Sequence, residues 1–155
     1  MKKVVIGIGN PLKKDDNIGN LVVDKLKKII NDDNVLFIRA ETNPENFIGK
    51  IKSFNPDVIY FVDAVEFDGE IGEVKMFSIN DVLNESLSTH GISVKVFKDF
   101  FPDVEIYVVG IKVEDVEYGE GLSESLDLND ISSKVKNILY QRVKLDYGKE
   151  EKKEK

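Results

Sequence analysis

The sequence predicts a three-layer α/β fold, in which a twisted, mainly parallel sheet of about five strands lies between helices. Three observations lead there. Short β-branched and aromatic runs alternate with segments of helical periodicity. The runs are apolar almost throughout, as strands buried on both faces must be. Right-handed crossovers between parallel strands then put helices on both faces of the sheet.

The elements follow in chain order. Val4 to Ile8 is a β-branched run bounded by Gly9-Asn10-Pro11, and it reads as a buried first strand. Ile18, Leu21, Val22, Leu26, Ile29 and Ile30 recur at helical spacing. Asn31 to Asn34 interrupt the pattern, and Val35 to Ala40 reads as a second strand. Thr42-Asn43-Pro44-Glu45 starts a helix with proline near its first position, and Phe47, Ile48, Ile51 and Phe54 give that helix its apolar face. Asn55-Pro56-Asp57 stops it. Val58 to Val62 is the most strand-like segment and runs directly into Asp63. Glu73 to Phe77 reads as a short additional edge strand after the turn at Asp68 to Gly72.

Short helices are expected around Asn80 to Asn84 and from Ile92 to Phe100, the latter ended by Pro102. Val104 to Val109 is the last strand. A loop with Gly119 and Gly121 precedes a final helix from about Leu128, with Ile131, Val135, Ile138, Leu139 and Val143 on its buried side. Residues 1–145 make one domain by size, and residues 146–155 read as a charged, disordered tail.

Composition narrows the function classes. The chain of 155 residues carries a formal net charge of -7, which argues against general nucleic-acid binding. Its apolar runs are too short to span a bilayer, and the first residues lack a secretory signal, so a cytoplasmic location and no membrane partner are expected. The absence of cysteine excludes disulfides, thiolate metal sites and cysteine nucleophiles. His90 is the sole imidazole. Gly7-Ile8-Gly9 resembles part of a dinucleotide turn, but Leu12 stands where that turn needs its third glycine. No GxSxG elbow presents Ser88, Ser93 or Ser123 to His90, and no HExxH helix is present.

Sites in open parallel sheets lie beyond the C-terminal ends of the strands. Asp15 and Asp16 follow the first strand, Asp63 ends the third, and His90 precedes a later helix. Asp16, Asp63 and His90 form a donor set suited to a borderline divalent cation, with coordination positions left open. Asp15 or Asp16 can equally stabilise the start of the first helix, and Asp63 can cap a turn.

Gly7-Ile8-Gly9-Asn10-Pro11-Leu12-Lys13-Lys14-Asp15-Asp16-Asn17-Ile18-Gly19 resembles the opening motif of the nickel–iron hydrogenase maturation endopeptidases. Asp63-Ala64, Ser88-Thr89-His90 and Gly119-Glu120-Gly121-Leu122-Ser123 resemble three later motifs, in the same order, over Met1 to about Val143. Lys112-Val113 departs from the Gln-Pro that many relatives carry after the last strand. The resemblance implies a nickel site formed by Asp16, Asp63 and His90. It also implies removal of the C-terminal extension from a nickel-loaded hydrogenase large-subunit precursor, with nickel shared with or supplied by that substrate. Asp16 and Asp63 are the implied catalytic carboxylates, and the choice between an aspartate- and a metal-dependent mechanism stays open. A monomer is expected. The rival readings are a non-cleaving nickel-binding maturation chaperone of the same fold, a related peptidase with another substrate such as a spore protein, and a nucleotide-binding module.

Overall fold

The computed structural model describes residues 1–84 and 91–154. Five strands form one sheet in the order β2-β1-β3-β5-β4. They are β1 (Lys3–Ile8), β2 (Val35–Glu41), β3 (Val58–Ala64), β4 (Val74–Ser78) and β5 (Glu105–Ile111). The first, second, third and fifth run parallel; β4 joins the edge antiparallel to β5. The helices are α1 (Ile18–Ile29), α2 (Ile48–Phe54), α3 (Ile79–Asn84), α4 (Gly91–Phe100) and α5 (Leu128–Glu154).

Strand alternation sends side chains into two separate cores. Val4, Ile6, Ile8, Ile59, Phe61, Ile106 and Val108 pack with Ile51 of α2, Ile79 and Val82 of α3, and Phe97 of α4. Phe61 and Phe97 meet edge to face at 5.0 Å between ring centroids. Val5, Tyr60, Val62 and Val109 point to the other face. There they pack with Ile18, Val22, Val23 and Leu26 of α1, and with Ile131, Val135 and Leu139 of α5. The three-layer arrangement is therefore the one predicted.

Several local expectations change. Val23 is buried on α1, whereas Ile29 is 57% exposed, because the last turn with Lys27 and Lys28 projects past the core. The helix expected from Pro44 divides into a 3-10 turn, Pro44–Phe47, and α2. Asn55 ends α2 in the left-handed conformation, φ 56°, and its N–H bonds the carbonyls of Ile51 and Lys52. β3 runs past Asp63, which pairs in register with Gly110. The stretch 146–154, expected as a disordered tail, continues α5 as helix to Glu154; lysine and glutamate are good helix formers. The side chain of Val143 lies outside the described residues.

Candidate functional site

The order of the sheet fixes where a site belongs. β1 has β2 on one side and β3 on the other, so the chain reverses its direction of travel across the sheet between β1 and β3. Parallel sheets open a crevice beyond the strand ends at such a point. The loop after β1 carries Asp15 and Asp16, and the end of β3 carries Asp63.

Two glycines let α1 start close against this crevice. Gly9 has φ 153°, and a Cβ there would lie 2.0 Å from the Asp16 carbonyl oxygen, so the loop folds directly back on the strand end. A Cβ on Gly19 would lie 2.1 Å from the Val62 carbonyl oxygen and 2.4 Å from that of Ile8. The first turn of α1 thus spans the gap between β1 and β3, which brings the turn bearing Asp16 to the strand that carries Asp63 near its C-terminal end. The early glycines serve close backbone approach, and no third glycine follows to make a dinucleotide turn.

The two adjacent aspartates have different surroundings. A 3-10 turn, Lys14–Asn17, turns Asp15 inward until it is fully buried. Its Oδ2 accepts bonds from the backbone N–H groups of Glu114 (3.1 Å) and Asp115 (2.8 Å) and from Ser123 Oγ (2.7 Å). Its Oδ1 accepts the Ser123 N–H at 2.7 Å. Asp15 therefore ties the loop after β1 to the long loop between β5 and α5, and it holds the Ser123 hydroxyl in the same contact. Asp16 stays half-buried at the crevice, oriented by the Asn10 N–H at 2.8 Å from its Oδ2. Asp63, which follows the alternation of Ile59 and Phe61, is 2% exposed on the α4 side of the sheet.

Asn20 supports the crevice from below and was not singled out from the sequence. Its buried Nδ2 donates to the Gly9 carbonyl at 2.9 Å and to Asn17 Oδ1 at 2.8 Å, and its Oδ1 accepts the Glu41 N–H at 3.1 Å. It joins the ends of β1 and β2 to α1. Only its position two residues into the helix, where a polar side chain interrupts the apolar stripe, hints at this in the sequence.

At the rim, Lys14 Nζ meets Asp115 Oδ2 at 3.1 Å. The Glu117 N–H, and then Lys14, hold the Asp115 carboxyl below the usual carboxylate range. The hydrogen bond that Lys14 donates to Asp115 in turn raises the ammonium above its ordinary value.

Oxygen donors from Asp16 and Asp63 at one switch point suit a divalent cation, and the set needs a third ligand. Among the described residues no group of three or more histidine, aspartate or glutamate side chains is assembled for a metal. His90, with Ser88 and Thr89, lies outside the described residues; the described chain resumes at Gly91, where α4 begins. Among the described residues, too, no helix is long and apolar enough to cross a membrane.

Fold and crevice define a small α/β protein with an acidic site at its switch point, and the comparisons make that class specific. The profile of the HycI hydrogenase maturation proteases matches residues 21–141. A protein assigned to the hydrogenase maturation proteases of Methanocaldococcus jannaschii is 35% identical over 153 residues, covering 92% of this chain and 88% of its own length. Coenzyme F420 hydrogenase subunit delta of Methanothermobacter thermautotrophicus is 28% identical over 73% of this chain and 75% of its own. Among solved structures, the [NiFe] hydrogenase maturation protease HycI of Thermococcus kodakarensis superposes with a TM-score of 0.75 at 29% identity, covering 92% of each chain. The maturating endopeptidase HybD of E. coli, 22% identical, shares the fold with a TM-score of 0.72 over 93% of this chain and 94% of its own. The chain belongs to the hydrogenase maturation protease family, and is a hydrolase of that family.

Proposed function

We propose that this protein is an endopeptidase that removes the C-terminal extension of a [NiFe] hydrogenase large-subunit precursor once that precursor carries nickel. The observation that supports this most is the placement of Asp16 in the loop after β1 and of Asp63 near the C-terminal end of the adjacent parallel strand β3, at the switch point of a chain in this family.

In this scheme the nickel arrives with the substrate. Asp16, Asp63 and His90 are the residues that would hold it, and nickel would supply a positive charge for the precursor to present to an acidic crevice. Cleavage then depends on a difference in affinity between loaded and empty precursor. Asn10 orients Asp16, and the α4-side core fixes the backbone around Asp63. A carboxylate in this position can take a proton from water as it attacks the scissile carbonyl. Asp15 is already engaged by four hydrogen bonds to the β5–α5 segment and serves the geometry of the turn.

The likeness to a protein named as a hydrogenase subunit favours a second reading, a non-cleaving partner that binds the nickel-loaded precursor. Intact mass spectrometry of precursor incubated with this protein, with and without nickel, separates the two. Loss of a C-terminal peptide from the loaded form alone supports the endopeptidase. Stable association without mass loss supports the binding partner, and cleavage of both forms removes the nickel checkpoint.

A further inference from the structure

We infer that the joined rim of the β1–α1 and β5–α5 loops is the surface on which the precursor docks. It takes a segment of that chain bearing apolar side chains beside basic ones. This rests on the proposed function and adds where on this protein the substrate is held.

Exposed large apolar side chains gather on this rim: Leu12 is 68% exposed, Val116 47% and Tyr118 71%. The two loops are one surface, because the Gly119 N–H bonds the Leu12 carbonyl at 2.9 Å and the Lys14 N–H bonds the Gly119 carbonyl at 3.2 Å. Lys13 and Gly119 form a parallel bridge between them. Lys13 Nζ sits 4.9 Å from the centroid of the Tyr118 ring and fixes the ring against the surface. The buried Asp15 beneath makes the platform rigid. A tyrosine and a leucine held in water on a rigid support have the character of interface anchors.

The charge around them selects the partner. The segment 114–120 carries Glu114, Asp115, Glu117 and Glu120. Lys14 is matched to Asp115 and Lys13 lies on Tyr118, so the exposed Glu117 and Glu120 leave the rim acidic. An acidic border around apolar anchors complements a basic and apolar peptide. The anchors also stand beside the crevice, since Leu12 and Asp16 belong to one short loop. A chain docked on the rim would lead directly to it.

The test is steady-state processing of a nickel-loaded large-subunit precursor, with binding of the same precursor followed by fluorescence anisotropy. The double variant Leu12→Ser/Tyr118→Ser is expected to raise KM and the dissociation constant about tenfold while kcat stays within about twofold. The charge-reversed Glu117→Lys/Glu120→Lys is expected to weaken binding at low salt and to flatten its salt dependence. Phe100→Ser, an exposed apolar site at the opposite edge of the sheet, serves as the unaffected control. Wild-type affinity in both double variants would overturn the docking surface while leaving the protease reading intact. A wild-type protein that neither binds nor cuts the precursor would overturn both. Circular dichroism reports any misfolding of the apolar variant, and the charge-reversed pair, fully on the surface, then decides.

Discussion

The two edges of the sheet are built differently. At the N-terminal edge the connections are held by exposed polar contacts: the Lys2 N–H donates to Asp57 Oδ2 at 2.8 Å, and Lys52 Nζ donates to the Phe100 carbonyl at 2.9 Å. At the C-terminal edge Asp15, Asn20 and Asp63 are all buried, and α1 lies against bare backbone at Gly19. Burying a carboxylate is costly unless hydrogen bonds satisfy it. An edge that needed only to close the fold would do so with the simpler contacts of the other. Among the described residues the two buried carboxylates, Asp15 and Asp63, both lie at this end, and such departures from a simple apolar interior gather at functional sites.

Perturbing each edge separately sharpens this contrast. The largest expected effect is at Gly19. Gly19→Val would place a side chain against the Val62 and Ile8 carbonyls and should destabilise the protein by about 3 kcal/mol or more in urea unfolding. Gly49→Ala, where no atom lies within 4 Å of the added Cβ, should instead stabilise by about 0.5–1 kcal/mol. If both glycines responded alike, the close approach of α1 would not be a feature of the site edge.

Asp15→Ala should cost about 3 kcal/mol, since it leaves several donors of the β5–α5 loop unmatched in the interior. Asp57→Ala, which removes an exposed contact at the other edge, should cost about 1 kcal/mol or less. Hydrogen exchange should show the amides of Asp115 and Ser123 losing protection in the Asp15 variant while those of β3 keep it. Equal losses from the two substitutions would erase the distinction between the edges.

The smallest effect concerns pH. Asp115 has a folded-state value below its unfolded one, so its contribution to stability is present above the ordinary carboxylate range, about 4, and is lost as pH falls through the folded value. Asp115→Asn should therefore unfold more readily than wild type near neutrality, and the two should converge in acid. A constant gap across the pH range would show that the charge of Asp115 contributes nothing.

Much of this was legible from the sequence. The buried strands announce themselves as continuous apolar runs, and the edge strand β4 follows from its turn. The strand-end rule points to the C-terminal edge of the sheet, where the loop after β1 carries Asp16 and β3 nears its end at Asp63. The sequence named Asp16 for the site but left the role of Asp15 open, because neighbouring carboxylates differ only through the 3-10 turn that points one inward. The partners of Asp15 lie about a hundred residues away in sequence, at Asp115 and Ser123, and no local pattern records that pairing. Asn20 was missed for the same reason, since its role depends on β1, β2 and α1 meeting. The 3-10 turn before α2 and the overhang of Ile29 are set by tertiary packing rather than by periodicity.

The account turns on Asp16 acting at the site while Asp15 serves the scaffold. The most direct measurement is the rate at which Asp16→Asn processes a nickel-loaded precursor, read by intact mass beside its unfolding midpoint. The account predicts a midpoint close to wild type, because the amide oxygen can still accept the Asn10 N–H, together with loss of processing. A stable Asp16→Asn protein that cuts at the wild-type rate would contradict it.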